Sequence, residues 1–270
     1  MQEENELTQQ NTEWKAPPPP PSELAPEQAQ ISEIGTLGTI FIEPETTFKD
    51  LKRKPRFIIA GIIIALLVFA YTFGVASKVG EAGMRTFITE QIDKSPQADS
   101  LSKEQKEGAV NMQMTIGKYT RFAVPIFVFV SFFIGGLLYW AGAKAFGGTG
   151  TFMQNVSVWV YSGFPPAVVS MIANFIVLVF KSVDDIDLAA SQRGLVHANL
   201  GFFIGKEHPV LATLLSTFDV FAIWGWILAA IGLTVINKMS KASAWTLVML
   251  IVLIGLGFRV VGAIFSGNPS

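Results

Sequence analysis

Hydrophobic and polar positions alternate along this chain in long blocks rather than at short period. Apolar blocks cover residues 57–77, 122–143, 156–180, 212–236 and 243–265. Each reaches the length of about 20 residues that a helix needs to cross ~30 Å of hydrocarbon. The pattern therefore predicts an all-α membrane protein, a five-span transmembrane helical bundle. The polar blocks between the spans are unequal. Residues 78–121 form a long loop in which Met84, Phe87, Ile88 and Ile92 predict an amphipathic helix, and Ser102 with Gln105 a capped second one. The next connection, "KAFGGTGTFMQN", is short; the third is about 30 residues and acidic at its start; the last, "NKMSKA", is a bare hairpin.

Ahead of the first span the period changes. Ile31, Ile34, Leu37, Ile40 and Phe41 recur every three to four residues, as on one helix face, and Pro44 ends that run. Thr47 offers an N-cap with Asp50 three residues on, and Phe48 and Leu51 share a face before Pro55 breaks the pattern. Residues 31–55 thus predict an N-terminal interfacial helix lying on the membrane. Lys49, Lys52, Arg53, Lys54 and Arg56 crowd its exit into the first span, a membrane-interface basic cluster suited to an anionic cytoplasmic leaflet. Residues 1–30 are polar, with five prolines at Pro17–Pro21. They predict a disordered Pro-rich cytoplasmic tail that serves as a spacer or docks on an aromatic-lined groove. Three regions result: 1–30, 31–55, and a membrane domain over 56–266.

Composition agrees with this reading. Half of the 270 residues are hydrophobic and 15% are charged, against about 25% in soluble domains. A net charge of −1 gives no basic excess for nucleic acid. The absence of cysteine excludes disulfides, thiolate metal sites and cysteine nucleophiles. The opening "MQEENELTQQ" lacks the basic and apolar regions of a signal peptide, so insertion is expected to rely on the spans. Basic residues before span one and Lys238 and Lys241 in the last hairpin fall on one side of a five-span chain, which places the N-terminus in the cytoplasm.

Candidate chemistry is sparse. The fourth and fifth blocks each carry one interior charge, Asp219 and Arg259, about 20 positions either side of the last turn. At ~1.5 Å per residue both lie ~27–30 Å from it, so a structural ion pair across the two helices is expected, the alternative being that each snorkels to water. Pro165 and Pro166 in span three predict a helix kink, or else a hinge or broken-helix site. Gly61/Ala65, Ala70/Gly74 and Gly225/Ala229 have helix-packing spacing. "GGTGTF" lies between spans, without the strand and lysine of a phosphate loop, and reads as a turn. "DDID" at 184–187 with Glu207 and His208 reads as a solvated loop face, and His197 and His208 do not have zinc spacing. No Ser-His-Asp set, GxSxG or HExxH occurs. Catalytic, cofactor and metal residues are therefore expected to be none, and the protein is expected not to be an enzyme.

"IFIEPETTFKDL", "GGTGTFMQNVSVWVYSGFPP" and "TFDVFAIWGWILAAIGLTVINKMSKASA" together resemble the Ypt-interacting-protein (Yip) domain family in its bacterial branch, over about residues 35–265. The resemblance implies five spans with a cytoplasmic N-terminus, here in a bacterial cytoplasmic (inner) membrane. Eukaryotic relatives bind Rab-type GTPases and one another in vesicle traffic. The expectation is a non-enzymatic membrane scaffold or adaptor, in contact with the lipid bilayer and with membrane-protein partners that include itself. The alternative is a small transporter or lipid-handling protein.

Overall fold

The computed structural model describes residues 29–95, 98–191, 194–204, 207–266 and 269; nearly all of the Pro-rich tail, Pro17–Pro21 included, lies outside them. Among the described residues, five helices are long and apolar enough to cross a membrane: α3 (Ile58–Asp93), α4 (Lys103–Ala145), α5 (Phe152–Phe180), α8 (Val220–Asn237) and α9 (Lys241–Ser266). Two short helices, α1 (Glu33–Ile42) and α2 (Pro44–Arg53), precede them. Two more, α6 (Leu188–Ser191) and α7 (Pro209–Thr217), lie in the connection from α5 to α8.

The hub is α5. It packs on α3, α4 and α8, and it buries residues around its whole circumference in its first half, from Asn155 and Val156 through Tyr161 to Pro166. Helix α4 approaches it closely because Gly135 and Gly136 lie at the crossing. A Cβ on Gly135 would stand 2.0 Å from the Trp159 ring, and one on Gly136 would stand 2.7 Å from the Val156 backbone. These glycines set the tightest approach of α4 to α5; of the pairs singled out by spacing, Gly61/Ala65 and Gly225/Ala229 also lie at helix contacts, with Ala65 and Ala229 buried, whereas Ala70 is exposed and Gly74 faces Leu178. The outward sides of α4 and α9 show Ile126, Phe127, Ile134, Leu253, Ile254 and Phe258 to the surroundings. Such surface is stable against lipid tails.

The segment before α3 is a helical hairpin of two helices that meet at Pro44, where the sequence pattern breaks. Pro44 takes the first position of α2, where its missing N–H costs nothing. The N-cap is therefore Glu43, not Thr47, which sits one turn inside and donates from its hydroxyl to Thr39 and the Glu43 carbonyl. The hairpin's inner face is part of the bundle: Ile40, Phe48 and Leu51 are fully buried in one core with Val156, Val158, Leu233 and Ile236. Gly232 of α8 makes room for the Phe48 ring, which a Cβ there would meet at 2.9 Å. At the other end Phe41 makes edge contacts with Phe164 and Trp224, each at 6.1 Å. Phe164 stands about 12 residues into α5, ~18 Å along its axis, so the hairpin reaches well below the level at which α5 begins.

The fourth apolar block is not one helix. It divides at Phe218–Asp219 into α7 and α8, so the span is 220–237 and not 212–236. At the same far end, α3 runs past its apolar stretch and bends at Gly80, whose φ of 72° and ψ of 178° interrupt the helix. The bend lets residues 81–93 fold along the start of α4, where Ile88, Ile92 and Val110 make a small separate core. Ser102 and Gln105 cap α4 reciprocally, as their spacing predicts.

Candidate functional site

Polar side chains gather where the hairpin meets the ends of α5 and α8. Asp50 and Arg56 form an ion pair there, with side chains only 2% and 9% exposed. Asp50 Oδ1 also accepts the backbone N–H of Gln30 (2.5 Å) and Ile31 (3.2 Å), and Arg56 Nη2 donates to the Ile31 carbonyl at 2.9 Å. The pair thus ties the start of α1 to the end of α2 and the entry of α3. Nearby, Thr36 and Tyr161 share a hydroxyl hydrogen bond of 2.9 Å, linking α1 to the hub. Arg56 is therefore not a surface member of the basic cluster.

Lys52 is also turned inward. Its ammonium donates to the Val235 carbonyl at 2.9 Å, in the last turn of α8, where the helix dipole favours a cation. Gln154 Nε2 donates to the Lys52 carbonyl at 2.6 Å, so the same residue holds both α8 and α5. Burial first, and then the neighbouring Lys238, push the Lys52 ammonium below the usual lysine range. Of the other cluster members, Lys49 pairs with Glu45 at 2.7 Å on the outside and Lys54 is exposed, while Arg53 is half-buried and held by a contact of its own. Lys49, and more weakly Lys241, holds the Glu45 carboxyl below its ordinary range.

A second polar element was missed in the sequence. Asn155 and Asn237, both fully buried, exchange two amide hydrogen bonds of 3.1 and 2.9 Å between α5 and the end of α8. The "GGTGT" turn folds around this clasp. Gly147 takes a left-handed φ of 78° after α4, and Gly147 and Gly148 return N–H bonds to Lys144 and Ala143. Thr149 then donates to the Asn237 carbonyl at 3.1 Å, and a Cβ on Gly150 would stand 2.3 Å from Asn237 Oδ1. Thr151 and Gln154 box the start of α5. The glycines and threonines of this stretch thus serve a turn, a close approach and a cap. The available signal was an asparagine flanking each of two apolar blocks, at 155 and at 237.

The remaining expected residues lie elsewhere. Pro165 and Pro166 are buried in α5, and proline at 166 leaves the Ser162 carbonyl without its usual donor. That carbonyl faces Gly225 of α8, 3.5 Å from where a Cβ would stand. Asp219 and Arg259 are neighbours in depth, but among the described residues they do not form an ion pair. Asp219 caps α8 instead: it accepts from the N–H of Phe221 (2.9 Å) and Ala198 (3.1 Å) and from Asn199 Nδ2 (3.0 Å). Arg259 donates to Thr217 and Ser216 at 3.0 and 2.8 Å, at the C-terminal turn of α7. The break in the fourth block explains the difference, because it gives each charge a helix end to serve. In the same region Asn174 Oδ1 accepts the N–H groups of Leu195 and Val196 and fixes the long loop to α5. Among the described residues no three metal-ligating side chains come together.

A family model described as the Yip1 domain matches residues 38–263. The chain is 27% identical over 237 residues to membrane protein YknW of Bacillus subtilis (strain 168), covering 87% of this chain and 91% of that one. No solved structure matches.

Proposed function

Since this chain belongs to the Yip1 domain family, and is an integral multi-pass membrane protein, we propose that it is a non-enzymatic scaffold or adaptor that engages other membrane proteins, a second copy of itself among them. One observation carries the reading. The polar side chains described within the bundle are already committed to holding helices together: Asp50 to Arg56, Thr36 to Tyr161, Asn155 to Asn237, Asn174 to its loop, Arg259 to Ser216 and Thr217. A transport or catalytic site needs polar groups that converge on a substrate instead. The lysine-rich face bearing α2 and the turn at 238–240 is the cytoplasmic one on the positive-inside rule, which puts the N-terminal tail in reach of cytoplasmic partners.

The alternative, a small transporter or lipid-handling protein, draws its support from the Ser162 carbonyl freed by Pro166 next to Gly225. Crosslinking of the tagged full-length protein in its native membrane, followed by mass spectrometry, separates the two. A short reproducible set of partner proteins is expected. Recovery of the protein alone or with one enriched solute would move the assignment to transport and to the Pro165–Pro166 segment.

A further inference from the structure

The basic residues that remain outward after Arg56 and Lys52 turn in are not the ones that the sequence groups together. Helix α2 crosses the end of α8, where the Lys52–Val235 bond holds it. The turn that follows α8 is pinned by Met239, which is 6% exposed, so Lys238 and Lys241 on either side of it point outward. Exposed Lys49 stands on the adjoining α2. Lys241 acts on the same Glu45 carboxyl that Lys49 pairs with, and Lys238 on Lys52, so lysines from two distant parts of the chain share one rim, in which Lys49 and Glu45 engage each other.

Lys238 adds an independent mark. Its φ of 56° and ψ of 31° are left-handed, and it is the non-glycine residue with positive φ among those described. Glycine or asparagine suits such a C-cap better than lysine. A lysine kept in that conformation puts an ammonium at the rim that the backbone alone would not call for. One turn along α9 from Lys241 stands Trp245, 40% exposed, a ring type that favours the headgroup level. Beyond it the outward side of α9 turns round the helix to Leu253, about 80° from Trp245, with Leu250 and Ile254 farther round.

We propose that Lys49, Lys238 and Lys241 form a binding site for the headgroup of an anionic phospholipid, whose acyl chains lie along the apolar side of α9 past Trp245. The cations stand at the end of the spans, where a phosphodiester sits, and Leu253 on the outward side of α9 leads from Trp245 toward the hydrocarbon. A free anion makes no use of Trp245 or of that surface, which is why the occupant is a lipid. The site stands whichever side of the membrane this face meets, so it does not depend on the adaptor reading.

The test uses the purified full chain in nanodiscs of phosphatidylcholine with a graded fraction of phosphatidylglycerol, reading the thermal unfolding midpoint and, by native mass spectrometry, the phosphatidylglycerol retained. The wild type is expected to gain midpoint and to retain the anionic lipid. A K238N/K241Q variant, whose asparagine fits the left-handed backbone, is expected to need roughly tenfold more phosphatidylglycerol for the same response. Lys118→Gln, on the far half of α4, is expected to respond as wild type. Should the double variant not fold, Lys241→Gln alone carries the comparison, with a smaller change in the same direction. An unchanged response of the lysine variants, an equal loss in Lys118→Gln, or an equal rise on adding glycerol phosphate to pure phosphatidylcholine discs overturns the proposal.

Discussion

Asp50 and Arg56 are six positions apart, on either side of Pro55, and both are almost wholly enclosed. Removing one partner of such a pair leaves a charge without compensation, at a cost of about 3–5 kcal/mol, whereas replacing both with apolar residues of similar volume costs far less. Asp50→Ala is therefore expected to lower the midpoint of unfolding in detergent sharply, and D50M/R56M to recover most of it. Equal losses in the two would mean that the pair contributes shape rather than charge balance. In the sequence Arg56 is one of five basic residues at the door of a span, and charge density alone assigns all five to the surface. Which of them turn inward depends on the direction the chain takes after Pro55 and on an acceptor, the Val235 carbonyl, some 180 residues away. Neither is a local property. The Asp219–Arg259 expectation failed in a different way. Both residues stand at the same break between α7 and α8, but each side chain has backbone or hydroxyl partners at a helix end that the hydropathy pattern does not display.

The elements themselves were more legible, because a helix that crosses lipid must be long and apolar whatever its neighbours are. The same averaging hid the divided fourth block: Leu211, Leu214 and Leu215 before Phe218–Asp219, and Val220, Phe221 and Ile223 after it, keep the hydropathy high. The cue was Asp219 directly ahead of an apolar run, an N-cap signal of the ordinary kind. Gly80 shows where local chemistry governs an element. No atom lies within 4 Å of the place a Cβ would occupy, so packing does not require glycine there; the backbone does. Gly80→Ala is expected to cost about 1–3 kcal/mol. Hydrogen exchange should show the loss as faster opening of residues 81–93 and of their contacts with Val110, while the span before residue 78 stays protected. Uniform acceleration across α3 would instead make the bend part of the global fold.

For the whole molecule, the distribution of lysines fixes the expected orientation, and the lack of cysteine makes it easy to examine. Single cysteines at Lys238 and at Lys106 need no background substitutions. In intact cells an impermeant maleimide is expected to label position 106 and to spare 238; the reverse pattern would turn the protein over. The Asn155–Asn237 clasp has a consequence for how such a chain is made. Its two amides are 82 residues apart, and the earlier one enters the membrane first. At about 5–20 residues per second, Asn155 waits on the order of 4–16 s for its counterpart to leave the ribosome. Over that interval a helix that will become the hub carries an unmatched amide, and a product truncated before Asn237 carries it permanently. The seam between α5 and α8 at this end of the bundle therefore closes only once the fourth span has been made.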